Sequence, residues 1–130
     1  MTKQFINPDS LSRPTGYTHV VKAGNLVFIA GQVGVDRNGS VAGGDVLAQA
    51  RQVLANLDAA IKAAGGSKKD IMSITMYVVD TVSRDQMPAL RAMRGEFFGD
   101  RPPASTLVFV SGLARPELLI EIEARAVVGE

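Results

Sequence analysis

The sequence predicts an α+β fold, in which one mixed β-sheet carries two helices on one face in the order β-β-α-β-α-β-β. Two segments of helical periodicity alternate with segments rich in β-branched and aromatic residues, and glycine, proline and aspartate residues separate them. With 130 residues, of which 46% are apolar and 21% charged, the chain is long enough to bury a core of its own. We therefore expect residues 1–130 to form a single domain.

The N-terminal part is predicted to be an irregular arm followed by two strands. Residues 1–17 contain two X-Pro pairs, which break regular structure, so no strand or helix is expected there. Strands are predicted at residues 19–22 and 25–35. The second contains Gly31 and Gly34, and a glycine inside a strand is typical of a bulge or of a closely approaching backbone or ligand.

A helix and a strand are predicted in the middle of the chain. Residues 46–64 carry an apolar stripe at helical spacing, Asp45 is suited to cap the N-terminus, and Gly65 is suited to end the helix. Residues 71–80 alternate between apolar and polar side chains, which indicates a strand.

The C-terminal part is predicted to contain the second helix and a last pair of strands. Residues 83–86 (SRDQ) resemble a capping box that opens a helix running to Phe98. One strand follows residues 101–106, and another covers residues 118–124.

Two carboxylates lie on one face of the last strand. Because strand side chains alternate, Glu121 and Glu123 project to the same side as Arg125, while Ile120 and Ile122 face the core. Such a pair indicates either ion pairing, for which Arg125 is available, or a wet cleft in which a carboxylate does chemistry. The sequence leaves both interpretations open. The sheet face that carries these residues combines polar and apolar side chains, and we expect it to pack against another subunit.

The composition argues against several classes of protein. Fourteen basic and thirteen acidic residues give a net charge of +1, which predicts no nucleic-acid partner. The absence of cysteine excludes disulfides and thiolate chemistry. His19 is the only histidine and is expected to be a polar strand residue near the surface, so no metal site is predicted. No long apolar run occurs, so a cytoplasmic protein without a membrane partner is expected.

Six short motifs occur along the chain in one order: Gly16-Tyr17, Ala30-Gly31-Gln32, Gln49-Ala50-Arg51-Gln52, Phe97-Phe98, Pro103-Ala104 and Ile120-Glu121-Ile122-Glu123-Ala124. Together they resemble the RidA/YjgF family of small enamine/imine deaminases. The resemblance implies a chorismate-mutase-like fold and a homotrimer with clefts between neighbouring subunits. It also implies the hydrolysis of reactive imines or enamines to a 2-oxo acid and ammonia, without a cofactor, as a detoxification of reactive metabolites.

The resemblance assigns roles to three residues. Glu121 would position a water and transfer protons, so it is the catalytic candidate. The backbone at Gly31 would approach the ligand, and Tyr17, on the arm of one subunit, would line the cleft.

The chain departs from the family pattern directly after Pro103-Ala104. The family carries an arginine there that binds the substrate carboxylate, whereas this chain has Ser105, followed by Thr106. Both hydroxyl residues remain candidate substrate contacts. We expect Arg91 of the second helix to supply the missing charge, with Arg94 on the same helix face. A solvated or ion-paired surface arginine is the alternative interpretation of Arg91.

Three functions follow from these observations. The leading hypothesis is a hydrolytic deaminase of the 2-iminobutanoate/2-iminopropanoate type, with a substrate that Ser105 leaves open. The alternative is a non-catalytic trimer that binds a small molecule in the same cleft. Ribonuclease or translation-inhibitor activity is less favoured, because the near-neutral charge and the few aromatic residues suit RNA poorly.

Overall fold

A six-stranded sheet is the framework of the chain in the computed structural model, which describes residues 1–129. Its neighbouring strands follow the order β1-β2-β3-β6-β4-β5. Only β4 and β5 are parallel, so the sheet is mixed, as predicted. In chain order the elements are β1 (Lys3–Ile6), β2 (Val20–Ala23), β3 (Leu26–Val33), α1 (Val46–Ala63), β4 (Ile71–Val79), α2 (Met87–Phe98), β5 (Ala104–Val110) and β6 (Ile120–Val127).

Both helices pack on the same face of the sheet, which confirms the predicted α+β class. The apolar stripe of α1, including the fully buried Val53, Leu57 and Ile61, lies against β3 and β6. On β6, Ile120 and Ile122 point into this core. Each such side chain contributes roughly 1.5–3 kcal/mol through removal from water, so this layer dominates the stability of the fold.

The predicted ends of α1 are confirmed. Asp45 accepts a hydrogen bond from the backbone N–H of Ala48 at 2.9 Å, which satisfies one of the free donors of the first turn. Gly65 follows the C-terminus with a φ of +87°, a conformation in which glycine is strongly favoured.

The prediction that residues 1–17 form an irregular arm is wrong at its start. Lys3–Ile6 forms β1, an edge strand that pairs antiparallel with β2. The outer edge of β2 would otherwise present unpaired N–H and C=O groups, and β1 satisfies them. This pairing is a tertiary effect, and the short segment KQFI carries no alternating pattern that would reveal it.

The capping box predicted at residues 83–86 is confirmed only at Ser83. Its hydroxyl accepts from the N–H of Asp85 at 3.1 Å and caps a 3₁₀ turn, so it does not open α2 itself. Arg84–Gln86 forms a 3₁₀ turn, and α2 begins at Met87 without a side-chain cap. Pro88 has no N–H to donate to the carbonyl of Arg84, so the N–H of Met87 makes the tighter 3₁₀ bond to it.

The second face of the sheet carries no helix. Glu121, Glu123 and Arg125 of β6 lie on this open face, as predicted. Large apolar side chains lie on it too, and Phe5 and Phe28 are 67% and 55% exposed. Such exposure of aromatic side chains is typical of a surface that a partner covers.

Neither helix has the length and apolar character needed to span a bilayer, and this holds for the whole described part of the chain.

Candidate functional site

Glu121 and Gly31 meet at a bulge between two central strands. The β3–β6 register shifts between Ile29 and Gln32, and Gly31 lies in this bulge. A Cβ atom at Gly31 would lie 2.7 Å from Cδ of Glu121, which is closer than atoms of real side chains approach. The missing side chain therefore allows the Glu121 carboxylate to rest against the Gly31 backbone. Of the explanations that the sequence left open for the strand glycines, a bulge is observed at Gly31.

Glu121 is half-buried and has no cationic partner. Among residues 1–129, no lysine, arginine or histidine nitrogen forms an ion pair with its carboxylate. Burial raises the pKa of Glu121, and the nearby negative charge of Glu123 raises it further. A carboxyl group with a raised pKa gains and loses a proton more readily near neutral pH, as an acid–base residue must.

Tyr17 lies beside this carboxylate at the end of the N-terminal arm. Its ring packs edge-on against His19 with 5.4 Å between the ring centroids. Burial, followed by the charge of Glu121, raises the pKa of the Tyr17 hydroxyl. The hydroxyl therefore stays protonated and remains able to donate a hydrogen bond.

His19 holds the arm and the bulge together. Contrary to the expected surface position, it is 3% exposed. Its Nε2–H donates to the carbonyl of Ser12 at 2.7 Å, and its Nδ1 accepts from the amide of Gln32 at 3.1 Å. The Gln32 amide also donates to the carbonyl of Ala30, next to Gly31. The prediction failed because the partners of His19 are backbone and amide groups that the topology brings together.

The second carboxylate of the strand forms a structural ion pair. Glu123 accepts from the Arg125 guanidinium at 2.9 Å, and Arg125 also donates to Ser73 and Thr75 on β4. Charge and hydrogen bonding from Glu123, after burial, raise the pKa of Tyr77. Each of the two interpretations therefore applies to one carboxylate. Glu123 is ion-paired, whereas Glu121 forms no ion pair within residues 1–129.

Ser105 lies on the other side of the sheet, under α2. It pairs with the buried Ile74 and thus faces the helices. The Arg94 guanidinium donates to its hydroxyl at 3.2 Å and contacts the sulfur of Met76 at 3.7 Å. Arg91 lines the same pocket as Arg94, one helical turn away. Arg94 is thus the arginine that contacts Ser105.

The predicted site residues therefore form two groups on opposite faces. Tyr17, Gly31 and Glu121 lie on or beside the open face, whereas Ser105 and Arg91 lie on the helix face. Thr106, the neighbour of Ser105, points to the open face opposite Thr75. Because Glu121 and Ser105 project from opposite faces of the sheet, with β4 between their strands, the sheet itself separates them within one subunit.

Gln49 supports the loop that leads into β6. It is fully buried, and its amide donates to the carbonyls of Gly43 and Glu117, each at 2.9 Å. Its carbonyl oxygen accepts from the N–H of Leu119 at 2.8 Å, two residues before Glu121. Gly34 leaves room for it, because a Cβ there would lie 2.6 Å from that of Gln49. The sequence motif contained Gln49, but its role was not predicted.

No group of three or more metal-binding side chains is assembled within residues 1–129.

The chain matches a family model described as Endoribonuclease L-PSP over residues 9–128, which include both groups of site residues. It is 39% identical over 126 residues to a RutC family protein of Pyrococcus horikoshii, covering 95% of this chain and 97% of that protein. It is 29% identical to the solved structure of RidA from a Psychrobacter species, with a TM-score of 0.88 and coverage of 96% and 99%. The chain belongs to the RidA/YjgF family.

A further RidA/YjgF relative is named for the reaction that it catalyses. The 3-aminoacrylate deaminase RutC of Acinetobacter baylyi is 35% identical over 128 residues, covering 97% of this chain and 98% of that protein. The RidA/YjgF fold predicted from the motifs is thus confirmed for this chain, and deaminases occur among its relatives.

Proposed function

We propose that this chain is a hydrolytic deaminase of small reactive imines or enamines, which it converts to a carbonyl compound and ammonia. The observation that carries the proposal is the half-buried, unpaired Glu121 carboxylate at the Gly31 bulge. A deaminase among the RidA/YjgF relatives supports the reaction class.

The mechanism follows from the chemistry of a C=N bond. The Glu121 carboxylate takes a proton from a water as the water oxygen bonds to the imine carbon, and the resulting carboxyl group gives this proton to the imine nitrogen, so that a neutral carbinolamine forms. The carboxylate then takes the proton of the carbinolamine hydroxyl and delivers it to the nitrogen, the C–N bond breaks, and ammonia leaves as the C=O bond forms. The imine carbon is already electrophilic, so the reaction needs no cofactor. Tyr17 is suited to donate a hydrogen bond to the substrate or the water.

We further propose that the catalytic unit is a homotrimer with its sites between subunits. The exposed Phe5 and Phe28 on the open face and the separation of Glu121 from Ser105 support an assembly. Sedimentation equilibrium tests the proposal, and three chains should give three times the 13.8 kDa of one chain. The mass of a single chain at micromolar concentration would contradict it.

A coupled assay tests the activity. A pyridoxal-phosphate dehydratase acting on serine generates 2-aminoacrylate, and pyruvate formation is followed with and without this protein. We expect the rate to rise in proportion to catalytic amounts of the protein. The alternative of a non-catalytic binder predicts no acceleration, together with thermal stabilisation by a 2-oxo acid.

Alanine at Gly31 should lower kcat/KM about 10- to 100-fold. The new Cβ would displace the Glu121 side chain from the bulge, and catalysis is sensitive to displacements of about 1 Å. The matched control is Gly112→Ala, because a Cβ at Gly112 meets no atom within 4 Å. Equal activities of the two variants would argue against a role for the Glu121 position.

A further inference from the structure

A pocket between α2 and β5 combines an apolar lining with several guanidinium groups. Its volume is about 260 Å³, and apolar side chains including Leu90, Leu107 and Phe109 line it. Arg91 and Arg94 also line it. The guanidinium carbon of Arg84 lies 4.3 Å from the centre of the Phe109 ring, which also belongs to the lining. The pocket is below the 300–1,000 Å³ typical of drug-sized ligands, so it suits a small one.

No carboxylate among residues 1–129 forms an ion pair with the arginines at this pocket. The ion pairs among residues 1–129 are Asp58 with Lys62, Glu117 with Arg115, and Glu123 with Arg125. None of them involves Arg84, Arg91 or Arg94. Three guanidinium groups gather at this pocket, and their combined positive charge attracts a small anion. Arg84 and Arg91 are exposed, whereas Arg94 is partly buried, so solvent screens the attraction least at Arg94.

Arg94 is the arginine of this group whose guanidinium is fixed by polar contacts. One of its terminal nitrogens donates to Ser105 and contacts the sulfur of Met76, so the guanidinium lies over the hydroxyl of Ser105. A guanidinium has five N–H donors in a planar fork, so donors remain for two parallel bonds to a carboxylate. An arginine at position 105 would occupy this space, whereas serine is short enough to admit Arg94.

We propose that Arg94 binds the carboxylate of the substrate and that Ser105 is the positioning residue that holds its guanidinium. The inference rests on the proposed deaminase function and narrows its substrate class to imines or enamines that carry a carboxylate. The apolar lining next to Arg94 receives the remaining part of the substrate, and Glu121 of a neighbouring copy faces the C=N bond.

Binding of the product tests the assignment independently of turnover. The probe is 2-oxobutanoate, and its neutral analogue is butan-2-one, in which a methyl group replaces the carboxylate. We expect the Kd of 2-oxobutanoate, measured by NMR titration, to rise about 10- to 100-fold in Arg94→Ala, while weak binding of butan-2-one stays the same. The exposed Arg51→Ala of α1 controls for the loss of one positive charge and should leave both Kd values unchanged.

A double exchange tests the geometry. In the double variant Arg94→Ser with Ser105→Arg, β5 instead of α2 supplies the guanidinium to the same space. This double variant should recover most of the affinity for 2-oxobutanoate that Arg94→Ser alone loses. The proposal is overturned if Arg94→Ala changes the Kd of 2-oxobutanoate less than twofold, or if Arg91→Ala raises it more than Arg94→Ala does.

The failure of this inference differs from the failure of the proposed function. If the wild type accelerates deamination and Arg94→Ala has the same KM for carboxylated imines as the wild type, the inference alone is refuted. A wild-type protein without deaminase activity that still binds 2-oxobutanoate through Arg94 refutes the catalytic proposal alone.

Discussion

Replacing Glu121 with glutamine is expected to lower the kcat of imine hydrolysis by about 10²–10⁴-fold, the usual contribution of one acid–base group. Glutamine keeps the shape of the side chain in the Gly31 bulge but cannot accept a proton from water. The exposed Glu96→Gln of α2 serves as the control, and its activity in the coupled dehydratase assay should equal that of the wild type. Full activity of Glu121→Gln would remove the basis of the proposed mechanism.

The same variant should keep or gain stability at neutral pH. The folded-state pKa of Glu121 lies above its unfolded value, so the ionised carboxylate disfavours the folded state at pH 7. This cost fades as the pH falls through the folded pKa toward the unfolded value of about 4.5. Glu121→Gln should therefore have a higher Tm than the wild type at pH 7 and a smaller advantage near pH 4.5. Activity lost without loss of fold would separate catalysis from structure.

Replacing Gln49 with leucine should destabilise the protein by about 3–5 kcal/mol. The substitution leaves the carbonyls of Gly43 and Glu117 and the N–H of Leu119 without a partner, and each unsatisfied buried group costs about 1–3 kcal/mol. Urea unfolding of both proteins gives the difference in the free energy of unfolding.

The matched control for Gln49 lies one turn further along α1. Gln52 is half-exposed and its amide donates to the side chain of Asn56, so Gln52→Leu should cost about 1 kcal/mol or less. If both leucine variants unfold at the same urea concentration, the three hydrogen bonds of Gln49 do not support the fold as described.

The elements that could be predicted from the sequence are those with local causes. The apolar stripe of α1, its Asp45 cap and the alternation of apolar and polar side chains in β4 each depend on residues close together in the sequence. Strand β1 could not be predicted, because its stability comes from the free edge of β2. The start of α2 was predicted too early, because Ser83 caps a 3₁₀ turn and the missing N–H of Pro88 delays the α-helix to Met87.

The candidate site was predictable in its residue types and less so in its contacts. Strand alternation correctly placed Glu121 and Glu123 on one face, but only the three-dimensional arrangement assigned Arg125 to Glu123. Helical spacing put Arg91 and Arg94 on one side of α2, and contacts across the fold distinguish them. Buried polar residues such as His19 and Gln49 were missed, because their partners are groups from distant segments.

The position of Glu121 and Ser105 on opposite faces of one sheet has a genetic consequence. A chain defective on one face still offers an intact second face to its neighbour. Two inactive alleles, one altered at Glu121 and the other at Arg94, should therefore complement each other when they are expressed in the same cell. In some interfaces of the mixed assemblies, the intact Glu121 face of one chain would meet the intact Arg94 face of the other. These interfaces would restore deaminase activity, which neither allele provides alone.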